Sequence, residues 1–184
     1  MNKVILSVVG ADRPGIIAAV SRILFDRGCN LENVSQTIIQ QQFSGIFIAM
    51  VPAGLDPADL QAELRDRGVP MGLHIHVWSL PSDPPEDAFA DAEPFIITTR
   101  GPDRKGLVAR ITEVIAGYGV NVANLQAVFK GGDDPDRNIM IYEVDIPSTT
   151  DQAALRADLR RVAEKLDLQI SIQHRRVFEA LNRI

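Results

Sequence analysis

The apolar positions of this chain switch period several times, and each switch marks an element. Lys3–Val9 is a β-branched, apolar run that predicts a buried strand, and Gly10–Pro14 reads as a loop. From Gly15 onward, Ile16, Val20, Ile23 and Leu24 recur on one face of a helix that Gly28 ends. Leu31–Gln41 alternates as a strand, Phe43-Ser44-Gly45 predicts a turn, and Ile46–Val51 returns as the next strand. Asp56 stands where it caps a helix with Pro57 at its first position, and that helix runs to Arg67. Leu73, Ile75 and Val77 then alternate with His74, His76 and Trp78 in a fourth strand.

The same succession follows a second time: strand 94–100, helix 106–117, strands 122–130 and 137–146, helix 151–166 and strand 168–175. A short helix is expected over the tail, 176–184. The order βαββαβ, twice, predicts an α+β protein of two ferredoxin-like domains in tandem. The repeat is legible residue by residue. Gly10-Ala11-Asp12-Arg13-Pro14-Gly15 aligns with Gly101-Pro102-Asp103-Arg104-Lys105-Gly106 at an offset of 91 residues, and the alignment holds without a gap to Asn33 and Asn124. Of 24 aligned positions 8 are identical, and these are mainly Gly, Asp, Arg and Asn, residues with special backbone or polar roles. Six of the others exchange one aliphatic residue for another.

Charge separates the copies. Of a net charge of -5, residues 1–80 carry 6 Lys/Arg against 7 Asp/Glu and residues 94–184 carry 13 against 12. The stretch 81–93 has no base and 5 acids, together with Pro81, Pro84 and Pro85, and reads as an acidic linker between domains 1–80 and 94–184. Two near-neutral domains offer no broad basic field to a phosphate backbone, so direct nucleic-acid binding is not expected. Helices that alternate with strands throughout leave no helix-turn-helix. Cys29 is the only cysteine, which excludes an intramolecular disulfide and argues against a cysteine zinc site. The sequence shows no signal peptide and no apolar run long enough to span a membrane. A soluble, cytoplasmic protein without membrane contact is expected.

The candidate chemistry lies in the repeated Gly-x-Asp-Arg-x-Gly segment. It sits between the first strand and first helix of each copy, with Gly15 and Gly106 opening the helices. A helix start presents unpaired N–H groups and the positive end of the helix dipole, a seat for a carboxylate. A glycine there lets a ligand approach closely. Asn30 and Asn121 open the following strands, and an amide that both donates and accepts suits an amino and a carboxylate group together. The same residues also admit a plain structural role, with Asp12 capping the helix, Arg13 pairing a local acid and Asn30 holding a turn. Their repetition in both copies favours binding.

At Gly10-x-Asp12-Arg13-Pro14-Gly15, an amphipathic helix, and Gly28-x-Asn30, the chain resembles an ACT domain, and the resemblance covers both halves. The tandem layout is similar to the glycine cleavage system transcriptional repressor group. The resemblance implies allosteric amino-acid binding at interfaces between ACT domains, with side-by-side pairing of domain edges. It places ligand contacts at Asp12, Arg13, Pro14, Gly15, Ile16 and Asn30, and at Asp103, Arg104, Gly106, Leu107 and Asn121 in the second copy. Lys105 departs from the pattern where a proline would pre-set the loop.

Other features carry less. His74 and His76 share a strand face at a metal-compatible spacing but lack a third ligand. Gly131–Asp136 is acidic without the alternation of a calcium loop and reads as a hairpin connection. Cys29 reads as a small packed residue, and His174 has no evident nucleophile beside it. Ile46, Ile48 and Met50 form an apolar outer strand face where the second copy has Ile141, Glu143 and Asp145, which predicts packing on another sheet, either within the chain or across a homodimer or larger assembly. The expected function is an amino-acid-responsive regulator that binds a small amino acid, glycine or serine, and acts through a partner protein that contacts DNA. The alternative is an interaction module without a ligand. A hydrolase of formyl-folate carries a similar unit, but it needs a catalytic domain not seen here. No cofactor, no metal and no enzymatic activity are expected.

Overall fold

The computed structural model describes residues 2–81, 90–128 and 138–181. The chain forms two compact units that divide between Pro85 and Glu86. In the first, strands β1 (Asn2–Ala11), β2 (Asn30–Ile39), β3 (Gln42–Val51) and β4 (Leu73–Leu80) make one antiparallel sheet in the order β2-β3-β1-β4. Helices α1 (Ile16–Asp26) and α2 (Pro57–Gly68) cover one face. In the second unit, β5 (Ala92–Gly101), β6 (Asn121–Val128), β7 (Asn138–Pro147) and β8 (Gln169–His174) repeat the order as β6-β7-β5-β8, with α3 (Leu107–Gly117) and α4 (Gln152–Lys165). A last helix, α5, spans Arg175–Leu181. Each unit is thus a ferredoxin-like βαββαβ layer pair, as the repeat predicts.

The cores follow the alternation in the sequence. Val4, Leu6 and Val8 of β1 and Phe43, Phe47, Ala49 and Val51 of β3 are buried against Ile16, Val20, Ile23 and Leu24 of α1 and Leu60 and Leu64 of α2. In the second unit Ile97, Tyr142, Val144 and Ile146 pack against Leu107, Ile111, Ile115, Leu155 and Leu159. Asp56 caps α2 by accepting from the Ala58 N–H at 2.8 Å, and Asp151 caps α4 by accepting from Ala153 and Ala154 at 3.0 Å.

Several boundaries differ from the sequence reading. The turn between β2 and β3 is Gln40-Gln41, with φ of 47° and 63°, and not Phe43–Gly45. Both residues at positive φ in a two-residue connection match the twist of the paired strands. Phe43 is then free to enter the core, and only 2 % of it is exposed. Strands β1 and β5 run on through Ala11 and Gly101, and β5 opens at Ala92, inside the stretch expected to be linker. The Gly131–Asp136 connection and residues 182–184 lie outside the described residues.

Candidate functional site

Two backbone constraints build the repeated loop, and they explain two of its glycines. A Cβ on Gly10 would lie 2.6 Å from the carbonyl oxygen of Gly72, and one on Gly101 would lie 2.7 Å from that of Asp167. The first glycine of each motif therefore lets the start of β4 or β8 cross the end of the central strand. Gly15 and Gly106 precede α1 and α3 in the left-handed region, at φ of 95° and 85°. Nothing lies within 4 Å of a Cβ built on either one, so the conformation is what requires glycine there. The space above each helix start is open.

The Asp12–Ala18 segment lines a cleft of about 280 Å³ with Gln36, Ile38 and Phe43. Asp12, Arg13, Gly15 and Ile16, four of the six residues expected in the first copy, meet there, and all but Ile16 are exposed. The second unit has a cleft of about 330 Å³ lined by Asp103, Arg104, Gly106, Leu107, Val108 and Ala109. Shifted by the repeat offset, these six positions are Asp12, Arg13, Gly15, Ile16, Ile17 and Ala18. Neither helix start has a side-chain cap, so Asp12 and Asp103 leave the α1 and α3 N–H groups open. The hairpin wall, Gln36 with Ile38 and Phe43, is not legible in the sequence, because the apolar pattern predicts the β2–β3 turn at Phe43–Gly45, beyond Gln40-Gln41 where the chain reverses.

Asn30 and Asn121 stand elsewhere. Asn30 pairs with Met50, which pairs with Lys3, whereas the Asp12 loop leaves β1 beyond Ala11. Eight residues of strand separate the two levels, about 27 Å at the usual rise. Within one unit, Asn30 and the Asp12 loop cannot hold the same small molecule. Asn121 opens β6 in the equivalent place, opposite Asp145, and its side chain donates to the Asp145 carboxylate at 3.3 Å.

Among the described residues, the other polar features singled out in the sequence do not line either cleft. Cys29 is buried, and that burial pushes its thiol pKa up against the smaller opposing pull of Arg27, which disfavours the reactive thiolate. His76 stacks near Trp78 at 5.3 Å, and His174 meets Phe95 edge-on at 5.2 Å while accepting from the Arg176 N–H. Among the described residues no group of three metal-ligating side chains gathers, and no described helix is long and apolar enough to cross a membrane.

Two βαββαβ units, each with an open cleft at the first helix start, define a tandem module of the ferredoxin-like class. The ACT domain model matches residues 2–78 and 93–173, and the chain belongs to the ACT domain family. Its curated relatives match about one module's length. A UPF0237 protein of Methanocaldococcus jannaschii is 36% identical over 78 residues, 42% of this chain and 87% of that protein. One from Pyrobaculum aerophilum is 35% identical over 81 residues, 44% of this chain and 90% of that protein. Two solved structures match the whole tandem fold. An unknown protein from Galdieria sulphuraria superposes with a TM-score of 0.74 at 23% identity, covering 94% of this chain and 98% of its own. A protein described as a candidate glycine cleavage system transcriptional repressor gives 0.68 at 20% identity, covering 94% and 96%.

Proposed function

We propose that this chain is a non-catalytic, amino-acid-responsive regulator, with domains 1–80 and 94–184 joined by the acidic linker. A small amino acid sits in the Asp12–Ile16 cleft. Its carboxylate faces the α1 N–H groups and Arg13, and its ammonium group faces Asp12. The single observation that carries this reading is the recurrence of the same cleft, lined by the same six positions, in both modules. Membership of the ACT family supports an amino acid as the ligand class. Glycine or serine is favoured, and the candidate glycine cleavage repressor that shares the fold suggests control of gene expression through a partner protein.

Asn30 enters the site only from a second copy. β2 is an edge strand. An antiparallel pairing of two such edges brings the Asn30 end of one strand beside the Ile39 end of the other. This makes the ligand site a property of a homodimer. Calorimetry with the twenty amino acids tests the reading on the wild type and on Asp12→Ala and Arg13→Ala. Binding that weakens about ten- to a hundredfold in each variant supports it, since each removes one charge-assisted contact. Absence of binding by every amino acid would favour an interaction module without a ligand.

A further inference from the structure

The two modules repeat the polar residues of the site but not their surroundings. Arg104 forms an ion pair with Asp167. Asn121 donates to Asp145 at 3.3 Å, and Asn124 donates to Glu143 at 2.9 Å. In the first module the residues at the positions of those three acids are Gly72, Met50 and Ile48. Gly72 matches Asp167 because each places its carbonyl against the first glycine of the motif, at 2.6 and 2.7 Å. Met50 and Ile48 face Asn30 and Asn33 as Asp145 and Glu143 face Asn121 and Asn124. None of these three replacements carries a charge, and Arg13, Asn30 and Asn33 make no side-chain hydrogen bond or ion pair among the described residues.

We infer that Asp167 engages the guanidinium of the second module's site, so that only the first module's Arg13 is open to an external carboxylate. This inference rests on the proposed amino-acid reading for the ligand and on the structure alone for the pairing. The reason is competition rather than stability. The Arg104–Asp167 pair is solvent-exposed, and such pairs add little to folding. A carboxylate tethered beside a guanidinium nevertheless acts at a high effective concentration, and a free ligand has to displace it. Of the three acids only Asp167 stands at the motif loop, while Asp145 and Glu143 engage the asparagines at the other end of the second sheet. The second module keeps the motif while meeting its hydrogen-bonding needs internally.

Two measurements on the full chain decide this. The first needs no ligand. Phenylglyoxal labelling, mapped by mass spectrometry, should modify Arg13 several-fold faster than Arg104, and Asp167→Asn should raise the Arg104 rate to that of Arg13. Equal rates in the wild type overturn the inference whatever the chain binds. The second is calorimetry with whichever of the twenty amino acids binds. One site per chain is expected in the wild type, with a second appearing in Asp167→Asn. Two equivalent sites in the wild type, or no second site in the variant, overturn it. If no amino acid binds while labelling shows the expected ratio, the amino-acid reading fails and the internal pairing of the second module stands.

Discussion

The backbone N–H of Asp12 donates to the carbonyl oxygen of Gln41 over 2.8 Å, which ties the candidate loop to the turn of the β2–β3 hairpin. The loop's position is therefore set by a turn that is some thirty residues further along the chain. That turn holds Gln40 and Gln41 at positive φ, where a side chain is strained. The double substitution Gln40→Asn with Gln41→Gly should relieve the strain and raise stability by about 1 kcal/mol, since Asn-Gly suits such turns. The Asp12 bond uses a backbone carbonyl and survives the change. Chemical denaturation should show a higher midpoint at an unchanged slope, and a lower midpoint would refute strain at the turn.

The first glycine of each motif should tolerate no side chain. Gly10→Ala and Gly101→Ala each drive a Cβ against a backbone carbonyl and a leucine side chain. A loss of about 1–3 kcal/mol is expected, the usual range for overpacking. Gly117, the last residue of α3, has nothing within 4 Å of a built Cβ. Gly117→Ala should therefore gain about 0.5–1 kcal/mol through helix propensity. Thermal unfolding of the three variants side by side provides the check.

Alkaline pH should unfold the second module before the first. Tyr142 is fully buried where the first module has Phe47, and its hydroxyl reaches the Met140 sulfur at 3.4 Å and interacts with the Thr99 hydroxyl. Burial pushes its phenol pKa from 10.0 up to about 12. The folded core holds the neutral form, so this contribution is complete below pH 10 and is lost as pH rises towards 12. The loss amounts to about 2–3 kcal/mol. Tyr142→Phe should flatten the decline of stability over that window. An unchanged alkaline profile in the variant would assign the decline to other groups.

The outer face of the first sheet should favour self-association. Ile5 lies between Ile48 and Trp78 in the sheet register, and Ile46 is 38% and Trp78 39% exposed. At the positions of Ile5 and Ile48, the second module has Ile96, which is buried, and Glu143, which forms an ion pair with Arg175 at the start of α5. Light scattering at micromolar concentration is expected to show an assembly larger than the dimer joined at β2, and Ile48→Glu to reduce it to that dimer. A wild type no larger than that dimer at that concentration would mean that this face stays wet or is covered within the chain.

The sequence by itself determined the βαββαβ order, its duplication, the α1 residues of the first core and the loop where the clefts open. Those features rest on local information. Period-2 and period-3.6 apolar patterns reflect burial on one face, and glycines mark backbone that a Cβ would strain. The tertiary structure alone decided which polar residues share a site. Asn30 is only 15 residues beyond Gly15 in the chain, yet the intervening helix carries it to the far end of the sheet. Gln36 and Phe43 reach the cleft because the Gln40-Gln41 turn folds β3 back at a dipeptide without a strong turn signature. The pairing of Arg104 with Asp167, 63 residues apart, depends on β5 and β8 lying side by side. Strand neighbours are set by the packing of whole elements, and no local pattern in the sequence encodes them.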